Sequence, residues 1–220
     1  MPFLCQTGPS GNLDFCSRIR SYDRSLHTLS IGYCAPVPQT VLTPIINILF
    51  EGMTLSVDMK DDAPCRNLRN RTYQLAVTHK IPDGDDLLAK KCGSEKLYLS
   101  ILPSDPLAFL SRSPSPRFRR PSHPALFANR FWMEITRHKT PNTRYLLQVQ
   151  RDSFLELAQN SDYPFFVSSY FMRRGEAIPG RINLPLVDEE CQTDYYLVCL
   201  KNEARRYEPL FRQIDERTIH

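Results

Sequence analysis

Between Thr28 and Phe50 the hydrophobic positions change period. Leu29, Ile31 and Tyr33 alternate with Ser30 and Gly32, the period-two pattern of a strand. After Cys34-Ala35-Pro36-Val37-Pro38, the residues Val41, Leu42, Ile45, Ile46, Leu49 and Phe50 recur at the spacing of one helix face. Gly52 stands where such a helix would stop. Pro44 falls inside this pattern, so either it kinks the first turn or the helix proper starts there. Strand, loop and helix make the first half of a βαβ unit. In open α/β sheets ligands collect at the carboxyl ends of strands, where helix N-termini offer free N–H groups. Here that place is the loop from Ala35 to Thr40.

The alternation continues downstream. Met53 to Met59 reads as a second strand. Asp61-Asp62-Ala63-Pro64 suits a helix start, and the helix runs to about Asn70 with Leu68 inside. Tyr73 to Thr78 reads as a third strand. This order predicts a parallel sheet with right-handed crossovers. Ile81 to Asp86 reads as a solvated turn, since its three aspartates lack the spacing of a calcium loop. Leu87–Lys91 and Lys96–Leu102 read as two short strands across Gly93-Ser94.

The composition shifts at Pro103–Pro124, which is rich in proline, serine and arginine. From Pro106 to Met133 there is no acid, while Arg112, Arg117, Arg119, Arg120 and Arg130 fall inside. A solvated connection between two subdomains accounts for this better than an anionic partner, because no aromatic stacking pattern accompanies the arginines. Strands are then expected at Phe131–Thr136 and Tyr145–Gln150. Ser153 and Glu156 form a capping box opening a helix through Ala158. Tyr163–Ser168, Ile182–Val187 and Asp194–Leu200 read as strands, with a turn at Ala177–Arg181. Tyr207, Leu210, Phe211 and Ile214 mark a closing helix. Residues 1–27 read as a polar tail, with a short helix drawn from Cys16–Leu26.

Composition narrows the class. A chain of 220 residues, 41% hydrophobic and 24% charged, is an ordinary globular protein with room for a real core. Its net charge of +4 is too mild to point to nucleic acid. Seven cysteines without a Cys-x-x-Cys pair read as reduced, mostly buried thiols of a cytoplasmic protein and argue against a zinc site. The start Met1-Pro2-Phe3-Leu4 lacks a signal-peptide pattern, and no apolar run approaches a membrane span. The sequon Asn70-Arg71-Thr72 then reads as accidental. The eight glycines form no phosphate-binding array, so no cofactor and no metal are expected.

Taken in order, these segments resemble the effector-binding domain of LysR-type transcriptional regulators, over roughly Leu29 to Gln213. LSIGYCAPVP with its helix is similar to that family's first strand and ligand loop. RTYQLAVT, EKLYLSILPSDPLA, SFLELAQNSDYPFFVSS and DYYLVCLKNEARRYEPLFRQI resemble later segments in the same order. Gln74 replaces the family's usual Asp, Asp105 replaces its His before Pro106, and Ser161-Asp162-Tyr163 replaces a Gly-x-Gly turn. Residues 1–27 cannot hold the family's winged helix-turn-helix. At most Leu13–Leu26 would match the end of its linker helix, so the chain is expected to be truncated or to have no DNA reader of its own.

The resemblance implies an α/β fold of two Rossmann-like subdomains joined by two crossover strands, like periplasmic binding proteins. Residues 28–102 and 184–220 would form subdomain I, and residues 103–183 subdomain II. It implies a small-molecule effector, expected to be anionic, in the cleft between them. It also implies a homodimer, and contact with DNA only through a helix-turn-helix. In such a cleft the ligand would meet Ala35, Pro36, Gln39, Thr40, Thr78 and His79 from the first subdomain. Arg151, Asp152, Ser153 and Ser168 would face it from the second. Helix-start N–H groups with Ser and Thr hydroxyls suit a carboxylate. Thr40 and Ser153 can equally cap helices, Asp152 can serve the helix dipole, and His79 can be an exposed loop residue. A solute-binding protein of a transporter would share this fold. A thiol enzyme built on Cys34 and His79 is the remaining alternative, but no oxyanion hole or third orienting group accompanies that pair.

Overall fold

The computed structural model describes residues 27–59, 64–112, 125–127, 130–137 and 144–219. The N-terminal tail, most of the arginine-rich stretch and the start of the expected 61–70 helix lie outside the described residues.

The first unit forms as the periodicity dictates. Strand β1 (Thr28–Tyr33) leads through Cys34-Ala35 into helix α1 (Pro36–Leu49). The helix begins earlier than its apolar face suggests, because prolines at its first and third positions lack N–H groups that would find no intrahelical partner anyway. Pro44 stays inside the helix. Strand β2 (Thr54–Met59), helix α2 (Pro64–Arg69) and strand β3 (Leu75–Thr78) follow. β2 and β3 both pair with β1 in parallel, so β1 is central in this half.

Strand β4 (Leu87–Ile101) departs from expectation: it is one strand of 15 residues instead of two short ones. A bulge between Lys91 and Gly93 absorbs the break in pattern. Gly93 has φ +148°, and a Cβ there would run into the backbone of Ile219. Glycine is thus the residue that lets β4 continue past the C-terminal segment. Ile219 N–H donates to Cys92 O at 2.9 Å, and Ser94 N–H donates to Ile219 O at 2.9 Å.

The second half contains β5 (Ala125–Phe127), α3 (Arg130–Thr136), β6 (Tyr145–Leu147), α4 (Arg151–Asn160) and β7 (Phe165–Ser168). Helix α5 (Ser169–Arg173) and strand β8 (Ile182–Pro185) come next. Last come β9 (Gln192–Leu200) and α6 (Glu208–Gln213). The expected strand at 131–136 is helical. Phe131 and Trp132 are adjacent and both buried, which alternating strand faces would not allow beside a single core. The expected capping box is not formed either. Helix α4 starts at Arg151 after Gln150, so Ser153 lies within the first turn.

The sheet order is β2-β1-β3-β9-β4-β7-β5-β6, with β8 on β4 as well. β4 holds the halves together. Its residues 87–96 pair antiparallel with β9, and its residues 97–101 pair antiparallel with β7 and β8. Two parallel trios, β2-β1-β3 and β6-β5-β7, therefore flank a shared antiparallel centre. The chain enters the second half along β4 and returns between Pro185 and Gln192 through a 3-10 turn at Glu189–Cys191. One large core runs through both halves, from Leu29 and Ile46 to Leu97, Phe127 and Tyr195. Smaller clusters lie under α2, around Leu68 and Tyr73, and under α4, around Phe154 and Ala158.

Candidate functional site

Where the N-terminus of α1 meets the second half, the chain encloses a cavity of about 300 Å³. Pro36, Val37 and Thr40 form one wall. The opposite wall is aromatic, with Phe127, Trp132, Phe154, Phe165, Phe166 and Phe171. These rings are fixed by one another. Phe127 and Phe166 stack with centroids 4.3 Å apart, and Phe154 meets Phe165 edge-on at 5.7 Å. The register explains why they gather. Phe127 of β5 is paired with Phe166 of β7, and cross-strand partners share a sheet face.

The polar groups on this cavity are few. Thr40 donates its hydroxyl back to Pro36 O at 3.0 Å. Arg174 contributes the cation among the described lining residues, and it is already engaged. Its Nη1 donates to the Tyr170 hydroxyl at 2.8 Å, and its Nε pairs with Glu176 at 3.0 Å. Helix α1 offers fewer N–H groups than a typical helix start, since Pro36 and Pro38 have none. Ser168 ends β7, is 4% exposed, and its Oγ has no hydrogen-bond partner among the described residues.

Behind Ser168 lies an acid that sequence reasoning missed. Glu95 sits on β4, 1% exposed, and accepts the Tyr195 hydroxyl through Oε2 at 2.6 Å. Its Oε1 has no hydrogen-bond partner among the described residues. Ser168 lies beside this carboxyl. Burial pushes the Glu95 carboxyl above its usual range, against the opposing pull of Ser168, Tyr195 and Trp132 and the charge of Arg173. The signal was present in the sequence: Glu95 has the same parity as Leu97, Leu99 and Ile101, so it belongs to the inward face of the strand.

The ten residues singled out from the sequence divide between several places. Pro36, Thr40 and Ser168 come together on the cavity. Ala35 precedes α1 and is buried, and Gln39 is half-buried on that helix away from the lining. Thr78 is buried and donates its hydroxyl to Lys80 O at 2.7 Å. His79 packs edge-on against Phe131 at 5.5 Å and lines a separate, open, acidic groove with Glu134, Glu189 and Asp194. Arg151 is the first residue of α4, and its side chain lies outside the described set. Asp152 is exposed in the first turn of that helix, and the Ser153 hydroxyl lies 3.4 Å from Gln150 Oε1. Cys34, weighed above as a nucleophile, is 2% exposed. Among the described residues, no group of three or more His, Cys, Asp or Glu side chains could hold a metal ion. Nor is any described helix long and apolar enough to cross a membrane.

No protein-family model matches the sequence, and no curated protein matches it. Solved structures do match the fold. The regulatory domain of MetR, a LysR-family regulator from N. meningitidis, superposes with a TM-score of 0.65 at 14% identity, covering 86% of this chain and 92% of that one. The reduced OxyR regulatory domain from Pseudomonas aeruginosa gives 0.60 at 13% identity, covering 84% of this chain and 95% of that one. The BenM effector-binding domain with its effector benzoate gives 0.53 at 14% identity, covering 80% and 84%. The chain therefore has the fold of LysR regulatory domains, which is periplasmic-binding-protein-like.

Proposed function

We propose that this chain is the effector-sensing domain of a LysR-type regulator and binds a small molecule in the cavity between α1 and the aromatic wall. The observation that carries this reading is the origin of the walls. Pro36, Val37 and Thr40 come from one half of the fold and the rings from the other, so an occupant touches both. A ligand that contacts two bodies at once favours the arrangement in which they approach. The two subdomains of this reading are residues 28–102 with 184–220, and residues 103–183. They would adjust where β4 changes partners, between Lys96 and Leu97, and along the return segment before β9. An attached helix-turn-helix would pass that adjustment to DNA. The role is binding, not catalysis.

The chemistry of the walls favours an apolar, uncharged ligand over the anion expected from the strand-end loop. Two of the first three residues of α1 lack N–H groups, and Arg174 is neutralised by Glu176. Rings dominate the remainder. A thermal-shift panel tests this directly. A neutral aromatic at a hundred times its Kd stabilises by about 3 kcal/mol, which raises Tm by roughly 5–10 °C for a chain of this size. Trp132, the one tryptophan of the sequence, lies on the cavity, so its emission is expected to change on binding. Shifts from carboxylates alone would reverse the charge assignment. No shift from either class would remove the sensor reading.

Ile48 favours a second element, the homodimer. It is 74% exposed on α1, next to the half-buried Ile45 and Leu49. A second copy covering this face would bury it. Sedimentation at micromolar concentration should give a dimer that Ile48→Asp converts to monomer, and a monomeric wild type would refute it.

A further inference from the structure

Glu95 is the last buried side chain of β4 before that strand changes partners. It is paired with Thr193 of β9, whereas Leu97 is paired with Ser168 of β7. Its neighbours therefore come from both halves. Tyr195, diagonally across on β9, donates to Oε2 at 2.6 Å. Ser168 at the end of β7 and Trp132 on α3 close around the same carboxyl, and Arg173 on α5 adds a positive charge nearby. A second link runs alongside. The Lys96 N–H donates to the Ser169 Oγ at 3.1 Å, and Arg173 Nη2 donates to that oxygen at 3.2 Å. Glu95, Trp132, Ser168, Ser169 and Tyr195 are all less than a tenth exposed. Ser168 and Trp132 also line the cavity.

Such a cluster suits a neutral acid and resists a charged one. A neutral carboxyl is satisfied by hydroxyl partners. A carboxylate shut away from water needs a direct cation or solvent. Arg173 gives its described hydrogen bond to Ser169. Tyr195 stands on one side of the carboxyl and Ser168 and Trp132 on the other, so water reaches it when the halves part. Resting on the cavity-binding reading above, we propose that Glu95 is a positioning residue and a proton-sensitive tie: its neutral carboxyl holds the ligand-facing Trp132 and Ser168 against the first half, and its ionisation lets the halves separate. Burial already pushes this carboxyl above its usual range. Burial also holds the protons of Tyr195 and Cys92 in place above pH 9, and Cys34, near Tyr195, is buried as well. A ligand that touches both halves favours the closed, protonated form. Its binding therefore takes up a proton from solvent and weakens as pH rises.

The test is isothermal titration of the full chain with indole, a ring that stays neutral from about pH 5 to about pH 9, in steps across that range. The wild type is expected to lose affinity by about tenfold or more, the change produced when the carboxyl differs by one pKa unit between the parted and closed forms. Titrations in buffers of different ionisation enthalpy are expected to show proton uptake on binding. Glu95→Gln keeps the shape and an acceptor for Tyr195 but does not ionise, and it is expected to bind indole with one affinity throughout. Tyr195→Phe removes a donor that favours ionisation, and it is expected to move the fall to higher pH. A wild-type affinity that is flat with pH overturns the tie and leaves the cavity reading standing. A slope that survives Glu95→Gln assigns the proton elsewhere, to His79 for example, and overturns the tie as well. If Glu95→Gln does not fold, Tyr195→Phe decides, and a fall that stays at the wild-type pH overturns the tie. Absence of indole binding at every pH removes the tie together with the aromatic-cavity reading on which it rests.

Discussion

The Tyr195 hydroxyl of β9 reaches Oε2 of Glu95 on β4 at 2.6 Å across the β4–β9 pair, and both residues are buried. Burial holds the folded carboxyl above its ordinary value near 4.5. The sign of the resulting pH dependence follows. Below that value both the folded and unfolded chains carry the proton. Above it the unfolded chain releases the proton while the folded chain keeps it, so stability falls with rising pH until the folded carboxyl also ionises. Glu95→Gln is expected to flatten this part of the profile. Urea denaturation at a series of pH values from 4 upward checks it.

Tyr195→Phe removes the donor and leaves Glu95 Oε2 unpaired in the core. Leaving such a buried acceptor unpaired costs about 1–3 kcal/mol. The substitution also removes an interaction that lowers the Glu95 pKa. The loss of stability should therefore extend to higher pH in Tyr195→Phe than in the wild type. An unchanged pH profile would show that the two side chains are not coupled.

The C-terminal segment pins β4 at its bulge. Ile219 is fully buried, and Gly93 makes the room for its backbone. Ile219→Ala is expected to cost about 2–5 kcal/mol. Gly93→Ala is expected to be destabilising too, because a Cβ meets Ile219 and φ lies in the glycine-favoured region. Because both substitutions disturb one contact, the double variant should lose less than the sum. Denaturation midpoints of the three variants decide it.

The described cysteines differ in accessibility. Cys92 and Cys199 are fully buried, and burial pushes both thiols up to about 12. Cys65 on α2 is part-exposed; burial raises its thiol too, and the charge of Arg69 works against that rise. Alkylation of the native chain followed by peptide mass spectrometry should label Cys65 well before Cys92 or Cys199. Early labelling of Cys92 would mean that the β4–β9 pair opens readily.

The aromatic wall depends on the Phe127–Phe166 stack. Phe127→Ala should cost about 3–5 kcal/mol and enlarge the ligand space. Phe127→Leu should cost less and preserve more of the wall. Thermal melts, with and without a neutral aromatic, separate the loss of stability from the change in the site.

Local pattern was enough for the elements whose neighbours in sequence are also their neighbours in space. β1, α1, β2 and β3 follow from period-two and helical spacing between residues 28 and 78, because each buries one face against the next. The later elements were harder to read. The segment 131–136 alternates well enough for a strand, yet it folds as α3, since Phe131 and Trp132 must both reach the core. The helix start at Arg151 displaced Ser153 from its cap for a related reason: Phe154 N–H closes the first turn onto Gln150 O at 2.9 Å.

The sequence by itself determined the α/β alternation of the first half, the inward parity of β1 and β3 and the place of Ser168 at the end of a strand. Those are properties of short stretches, set by side-chain period and by proline and glycine geometry. Only the tertiary structure decided that β4 runs unbroken through both halves, that His79 turns to a different groove from Pro36, and that Glu95 lies buried behind Ser168. Those depend on strand register and on contacts between residues far apart in the chain, such as Glu95 with Tyr195 and Gly93 with Ile219. No local periodicity encodes such pairings, because their energy is gained only when the whole sheet has assembled.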